Sequence, residues 1–484
     1  MRLLDLMNGN TTEVTNETAL LEVDITGLTC DSRKVNPGFL FAALAGSETD
    51  GSRFIDDAID RGAAAVLAAP GSRNFTVPLI ADDNPRHRYA MLAARFYENQ
   101  PETVAAVTGT NGKTSVVSFV RQIWTGLGLK AASLGTLGLG ADGFDAGQGL
   151  TTPDPSDLHR TLAELAGAGI DHLAMEASSH GLEQCRLDGV RIELAAFTNL
   201  SRDHLDYHGS MEDYLAAKQR LFSQLLEVGG VAVINAADET AAGLGQIAGE
   251  RGCTVIEYGR GAAHIRLDEI EPMATGQHLK LTVMGKPMEV TLPLVGEFQA
   301  ENALCALGLV IAGGGQPENA VRALENLIGI AGRLEHVTNN TYVDYAHTPD
   351  ALAHALAALR PHTENNLTVV FGCGGDRDTG KRPEMGRIAS ELADHVFVTD
   401  DNPRFEDAAG IRSQIMTACP RATEIGARGK AIAAAIGRHR PGDVLLVAGK
   451  GHETGQIVGD EVHPFNDADE IRRAWVQVGA MNDE

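Results

Sequence analysis

Residues 103–124, TVAAVTGTNGKTSVVSFVRQIW, run from an apolar stretch through Gly109, Thr110, Asn111, Gly112, Lys113, Thr114 and Ser115 into an amphipathic one. Glycines at such a joint let backbone N–H groups turn toward phosphate oxygens, and a helix starting there adds favourable partial charge. Lys113 is spaced to reach the β- and γ-phosphates of a nucleotide, and the Thr114 hydroxyl to ligate Mg2+. The general pattern GxxxxGK[ST] would put glycine at 107, where this chain has Val107. Strand, GKT and helix still fall in order, and phosphate binding follows from that order. A reaction does not.

Other reactive groups are sparser. Glu176 ends the apolar run HLAME, where a carboxylate can stand beside phosphates and hold a metal. His204 and His208, in TNLSRDHLDYHG, have the spacing of a zinc pair, but Leu205 follows His204 and the HExxH glutamate is missing. By itself a Glu or His at a strand end is solvated or capping, and Lys218 in YLAAKQRLF is an ordinary exposed helix lysine. The pentapeptide DDNPR occurs twice, at 82–86 and 400–404. Each copy follows an apolar run (VPLIA, HVFVT) and precedes a helical pattern. Both therefore suit a strand-to-helix turn, in which Asp or Asn caps free N–H groups and Pro fixes φ.

These residues need a frame. A chain of 484 residues suggests three domains or so, and 43% hydrophobic content with 54 glycines fits an α/β protein. The first ~100 residues alternate short apolar runs (GFLFAAL, AAAVLAA, VPLIA) with helical stretches such as RHRYAMLAARFYENQ. Strand patterns TVAAVTG, HLAMEA, ELAAFTN and GVAVINA, separated by helices such as SDLHRTLAELAGAG, make up a second segment. The third begins near residue 335: TYVDYA, LTVVFGC, HVFVTD and DVLLVAG alternate with PDALAHALAALR, RPEMGRIASELA, DAAGIRSQIMTA and GKAIAAAIGRH. Such alternation predicts βαβ units on a parallel sheet.

Charge narrows the partners. Forty basic against 65 acidic residues give a net charge of −25, which argues against nucleic acid or an anionic membrane surface. No apolar run approaches the ~20 residues of a membrane helix. The start turns polar and acidic at once, so no signal peptide is expected. Six cysteines without a CxxC pair fit neither a zinc ribbon nor a disulfide framework and suit the reducing cytoplasm.

With these residues in hand, the chain resembles the Mur ligases, ATP-dependent amide-forming enzymes that build the peptide stem of bacterial peptidoglycan. The resemblance rests on TGTNGKTS (108–115), TTPDP (151–155), MEASSHGLEQCR (175–186), TNLSRDHLDYHG (198–209), AAKQRLF (216–222), GRLE (332–335), YAHTPD (345–350), GGDRDTGKRPEM (374–385), DNPR (401–404) and GKGHET (449–454). These stretches come in family order over nearly the whole chain. The resemblance implies an N-terminal domain for a UDP-substrate (1–99), a central P-loop ATPase domain (100–334) and a C-terminal Rossmann-like domain that brings an amino acid (335–484). It further implies a monomer that uses ATP and Mg2+. ATP would phosphorylate the glutamyl carboxylate of UDP-N-acetylmuramoyl-L-alanyl-D-glutamate, and an incoming amine would then expel phosphate.

Residue by residue, the resemblance implies Lys113, Glu176, His204 and Lys218 as catalytic. Thr114, Glu176 and His204 match metal positions, and Lys218 matches a carbamylated lysine (N6-carboxylysine) beside a second metal. Asn302, Arg333, Asp344 and His347 match nucleotide contacts. Gln299 stands where the family usually has Asn. Cys30, Ser32 and the loop Ser47, Glu48, Thr49 match the uridine side; Thr151, Thr152, Ser178, Gln184 and Arg186 match the muramoyl-dipeptide side.

The company of the second DDNPR copy separates it from the first. In a parallel sheet the loops at strand C-termini gather on one edge, here YAHTPD, GCGGDRDTGKR, DDNPR and GKGHE. Arg404 and Arg377 would converge there with Gly449 and Glu453, a guanidinium gripping a carboxylate while Asp401, Asn402 and Glu453 accept from an ammonium. Within the resemblance, Asp401, Asn402, Pro403 and Arg404 accompany specificity for meso-diaminopimelate. The first copy is expected to be a turn and helix cap alone.

Overall fold

The computed structural model describes residues 1–8, 14–15, 23–46, 49–72, 75–144 and 150–482, which leaves Ser47 and Glu48 outside the described residues. The chain divides into two compact units, Met1–Ile265 with Leu304–Ala320, and Arg266–Ala303 with Val321–Glu484.

In the first unit, the run TVAAVT forms the strand Thr103–Thr108. Its interior is fully buried, as suits an apolar strand covered on both faces. Ile192–Phe197 lies on one side and His172–Glu176 on the other, both parallel to it. Leu226–Asn235 and Thr254–Gly259 extend the sheet in parallel beyond Ile192–Phe197. Ala131–Gly135 pairs in parallel with His172–Glu176, and Gly138–Gly140 turns back antiparallel at the edge. The amphipathic helices Lys113–Gly126 and Pro155–Gly167 bury their apolar faces.

The N-terminal lobe of this unit is a smaller sheet in the order Val14–Thr15, Leu79–Ala81, Ala65–Ala68, Phe39–Ala42, Gly27–Thr29. It is parallel except for the first pair. The helix Pro85–Tyr97 leads from it toward Thr103.

The second unit contains the antiparallel hairpin Gly276–Val283 with Lys286–Leu292. Its main sheet has the order Glu335–Thr338, Thr341–Asp344, Val444–Ala448, Leu367–Phe371, His395–Val398, Thr423–Glu424. All pairs but the first are parallel. The helices Pro349–Leu359, Lys381–Leu392, Ala408–Met416 and Arg428–Arg438 alternate with these strands, as their apolar spacing predicts. Among the described residues no helix is long and apolar enough to cross a membrane.

Candidate active site

The phosphate loop is built by two glycines with positive φ. Gly109 (φ 142°) leaves the strand and Gly112 (φ 87°) precedes the helix. An added Cβ at Gly109 would stand 1.9 Å from Thr198 Oγ1. Gly112 offers no side-chain cap, and the positive end of the helix Lys113–Gly126 opens directly from this loop, a setting that suits an anionic ligand. The next strand end braces the loop: Thr110 N donates to Asn199 O (2.8 Å) and Asn111 N to Asn199 Oδ1 (3.0 Å). Ser115 is buried.

Two lysine amino groups meet on one carbonyl. Lys113 Nζ donates to Gly109 O (2.9 Å) and Thr110 O (2.8 Å), while Lys218 Nζ donates to the same Gly109 O at 2.7 Å. Lys218 is 1% exposed, not the surface helix lysine its sequence context suggests. Burial, with Lys113 alongside, pulls its pKa down to about 6. Its Nζ also sits 4.2 Å from the Tyr214 ring centroid, and the His204 ring is 6.2 Å from the same ring.

Glu176 ends its strand almost fully buried. Its Oε1 accepts from Thr114 Oγ1 (2.9 Å) and Thr136 N (2.8 Å), and Oε2 accepts from Thr136 Oγ1 at 3.3 Å. The neighbouring strand makes room with Gly135, where a Cβ would lie 2.1 Å from Glu176 Oε1. A hydroxyl and a carboxylate held together are hard oxygen donors that fit Mg2+. His204, an exposed residue at φ 52°, packs 4.9 Å from the His180 ring. Among the described residues no cluster of three His, Cys, Asp or Glu side chains is gathered for a metal.

From Glu176 a polar chain leads away. Thr136 shares a hydrogen bond with Thr151 (3.0 Å). Buried Thr152 donates to Glu176 O (2.9 Å) and bonds Ser178 Oγ at 3.0 Å. Arg186 donates to Thr152 O (2.9 Å) and Gln184 Oε1 (2.6 Å). Thr151, Thr152, Ser178, Gln184 and Arg186 therefore belong to one network. The Cys30 thiol, raised by burial and by Asp154, donates to Asp154 Oδ2 at 3.1 Å. Ser32 is buried in the turn Ser32–Lys34, and Thr49 is exposed.

The second unit holds the other predicted nucleotide contacts. Asn302 Nδ2 donates to Gln299 Oε1 (3.4 Å), and Gln299 Nε2 reaches Arg333 O at 3.3 Å. Gln299 thus ties Asn302 to Arg333. Arg333 lies over the Tyr345 ring, and His347 stacks on that ring's edge at 4.5 Å. Asp344 accepts from Leu334 N (2.7 Å), and burial raises its carboxyl to about 6.

The two DDNPR copies adopt different structures. In the first, Asn84 caps the helix by accepting from His87 N (3.2 Å), Pro85 begins it, and Arg86 donates to Ala45 O. Asn84, Pro85 and Arg86 also line a cavity of about 550 Å3 together with Ala43–Ala45 and Ser52. In the second, Asn402 caps no helix; Ala408–Met416 begins later, capped by Asp407. Asn402 Oδ1 instead accepts from Lys450 Nζ and Ile457 N, and Nδ2 donates to Glu453 Oε2, each at 2.9 Å. With its carboxamide engaged at both ends, Asn402 is not the open acceptor its sequence suggests.

Arg404, at φ 52°, donates to Gly375 O at 2.9 Å. A Cβ at Gly374 would meet Arg404 Nη1 at 2.9 Å and Arg377 Cγ at 3.9 Å, so both arginines flank one glycine. Pro403 and Asp401 are buried, and Gly449 leaves no space between its backbone and Asp401 Oδ2. Sequence reasoning missed Lys450, the fully buried pair Arg428–Asp467 and Arg382. Lys450 stands between two glycines, Arg382 follows Lys381 and Asp467 lies in NDAD, so no local pattern marks them as buried.

Three family models match: "Mur ligase family, catalytic domain" at 24–97, "Mur ligase middle domain" at 107–310, and "Mur ligase, glutamate ligase domain" at 332–451. The chain is 52% identical over 98% of its length, and 99% of the relative, to the UDP-N-acetylmuramoyl-L-alanyl-D-glutamate--2,6-diaminopimelate ligase of Bradyrhizobium diazoefficiens. A solved ligase of that name superposes with a TM-score of 0.78 at 33% identity, covering 99% of both chains. The MurF ligase of Thermotoga maritima, solved with ADP, shares the fold at a TM-score of 0.59 and 17% identity, over 93% of this chain and 97% of that one. With matched segments from the N-terminal sheet to the C-terminal one, the chain belongs to the Mur ligase family.

Proposed function

We propose that this chain is the ATP-dependent ligase that joins meso-diaminopimelate to the D-glutamate carboxylate of UDP-N-acetylmuramoyl-L-alanyl-D-glutamate. The observation that carries this reading is the linkage at the second DDNPR loop. Asn402 connects a guanidinium, Arg404, to a carboxylate, Glu453. An amino acid with both an amine and a carboxylate at its far end can use both. L-Lysine, substrate of a rival reading, would leave Arg404 unpaired.

In this reading the N–H groups of residues 112–115 and Lys113 hold the ATP phosphates. The γ-phosphoryl group passes to the glutamyl carboxylate, giving an acyl phosphate and ADP. The amine of diaminopimelate then attacks the acyl carbon, and phosphate leaves from the tetrahedral intermediate. Thr114 and Glu176 would hold Mg2+, with Lys218 as a carbamate and His204 at a second position; the metal offsets phosphate charge. Lys113 stabilises the same charge from the protein side. Thr151, Thr152, Ser178, Gln184 and Arg186 position the muramoyl-dipeptide, and Cys30, Ser32 and Ser47–Thr49 the uridine end.

We keep domain bounds at 1–99, 100–334 and 335–484, and a cytoplasmic setting where these nucleotides are made. Phosphate release from the purified protein with the muramoyl-dipeptide nucleotide and ATP tests the reading. Release is expected with diaminopimelate and not with lysine or without amino acid; equal release in all three arms overturns it.

A further inference from the structure

Beneath the loops that carry Arg404 and Glu453 lies a cation that the reading above does not use. Lys450 is fully buried. Its Nζ donates to Glu453 Oε2 and to Asn402 Oδ1, both at 2.9 Å. Asn402 Nδ2 donates to the same Glu453 Oε2. One carboxylate oxygen is thus occupied twice, and among the described residues no donor reaches the other, Oε1. The Glu453 side chain is about one-third exposed, at 32%.

We infer that Lys450 is a positioning residue for the incoming amino acid: it anchors Glu453 through one oxygen and leaves the other to accept from the ammonium at the far end of that amino acid. The inference rests on the proposed reading of this site. Two features make Lys450 suited to it. First, the buried arginines of this sheet edge are committed elsewhere: Arg428 pairs with Asp467 through two 2.7 Å bonds, and Arg382 with Glu406 at 2.9 Å. Second, Lys450 joins the DDNPR loop to the GKGHE loop, so the arginine and carboxylate that would recognise the two groups at the far end of one ligand share a common anchor. Removing a buried ammonium in such a position leaves its partners unpaired, at a cost in free energy.

Charge supports the geometry. Burial drives the Glu453 carboxyl upward, but Lys450 and Asn402 outweigh it and hold it below the ordinary range. His452, Asp401, Arg428 and Tyr345 also face this carboxylate. Asp401 is raised by burial, against the pull of Arg428 and Lys450.

The test compares Lys450→Met, Glu453→Gln and the double variant in steady-state assays that vary diaminopimelate and then ATP, each with the other substrates saturating. Lys450→Met is expected to raise the KM for diaminopimelate at least tenfold while the KM for ATP stays within threefold. The acid limb of log(1/KM) should also move to higher pH by about one to three units, the usual effect of an opposite charge on a carboxylate. A role confined to folding would not move that limb. If Lys450 acts through Glu453, the double variant should be no worse than Glu453→Gln alone. Where the methionine variant does not fold, Lys450→Gln, which still donates a hydrogen bond, should show the same pH shift. A Glu453→Gln enzyme with unchanged KM overturns the reading of the loop itself. A raised KM in Glu453→Gln with no KM or pH change in the Lys450 variants overturns this inference alone.

Discussion

Replacing Arg404 with alanine tests the loop most directly. Arg404 is half-buried, with one guanidinium nitrogen on Gly375 O at 2.9 Å. Its loop is fixed independently: Gly375 N donates to Asn402 O (2.9 Å) and Arg404 N to Ile457 O (3.1 Å). Truncation therefore removes the charge without releasing the backbone, and alanine at φ 52° bears the same left-handed conformation that arginine already does. Losing one partner of a buried charge pair costs ~2–5 kcal/mol. Half-burial places this site at the low end, about 2 kcal/mol, which is a KM increase of roughly 30-fold. Arg404→Lys keeps the charge but loses the planar fork, and about half that free energy gives a rise of roughly fivefold.

The assay is initial phosphate release against diaminopimelate concentration, with both nucleotides saturating and melting temperature as the control for folding. Arg86→Ala is the companion variant. It removes a donor to Ala45 O in the N-terminal lobe, so any KM change should fall on the uridine substrate. An unchanged diaminopimelate KM for Arg404→Ala, or an equal rise for Arg86→Ala, would refute the assignment.

Other perturbations report on the frame behind the site. Gly135→Ala would push Glu176 off Thr114 and Thr136, since the new Cβ would lie 2.1 Å from its carboxylate; kcat/KM should drop about 100-fold, the scale of an ångström-sized displacement. Asp188→Asn breaks a buried pair in which Arg220 donates twice, at 2.7 and 2.6 Å; the cost of ~3–5 kcal/mol should lower the melting temperature by roughly 5–8 °C for a unit of this size. Lys218→Ala should abolish turnover, with partial recovery when short carboxylic acids are added; undiminished activity would exclude a carbamate role. Burial depresses the His159 pKa from 6.5 to about 4, so the imidazole is neutral in the native state and its stabilising effect is lost as pH falls from 6.5 toward 4. Denaturant midpoints across that window should therefore fall less steeply for His159→Leu than for the parent chain, and parallel slopes would contradict the assignment.

The residue pattern alone determined the local structure. Apolar runs bounded by Gly, Asn and Pro became the strands Thr103–Thr108, His172–Glu176, Leu367–Phe371 and Val444–Ala448, because strand and helix periods depend on neighbours a few positions away. The same holds for the helix cap at Asn84 and for the glycine hinge at Gly112, both set by nearest residues. What tertiary structure decided is which groups share a dielectric environment. Lys218 is 109 positions from the Gly109 carbonyl it meets, and Lys450 is 48 from Asn402. Identical DDNPR letters cap a helix in one place and knit two loops in the other, because a side chain with several polar atoms takes whichever partners the surrounding fold leaves unsatisfied. Burial and pairing of this kind arise from packing between distant segments, and no local pattern encodes them.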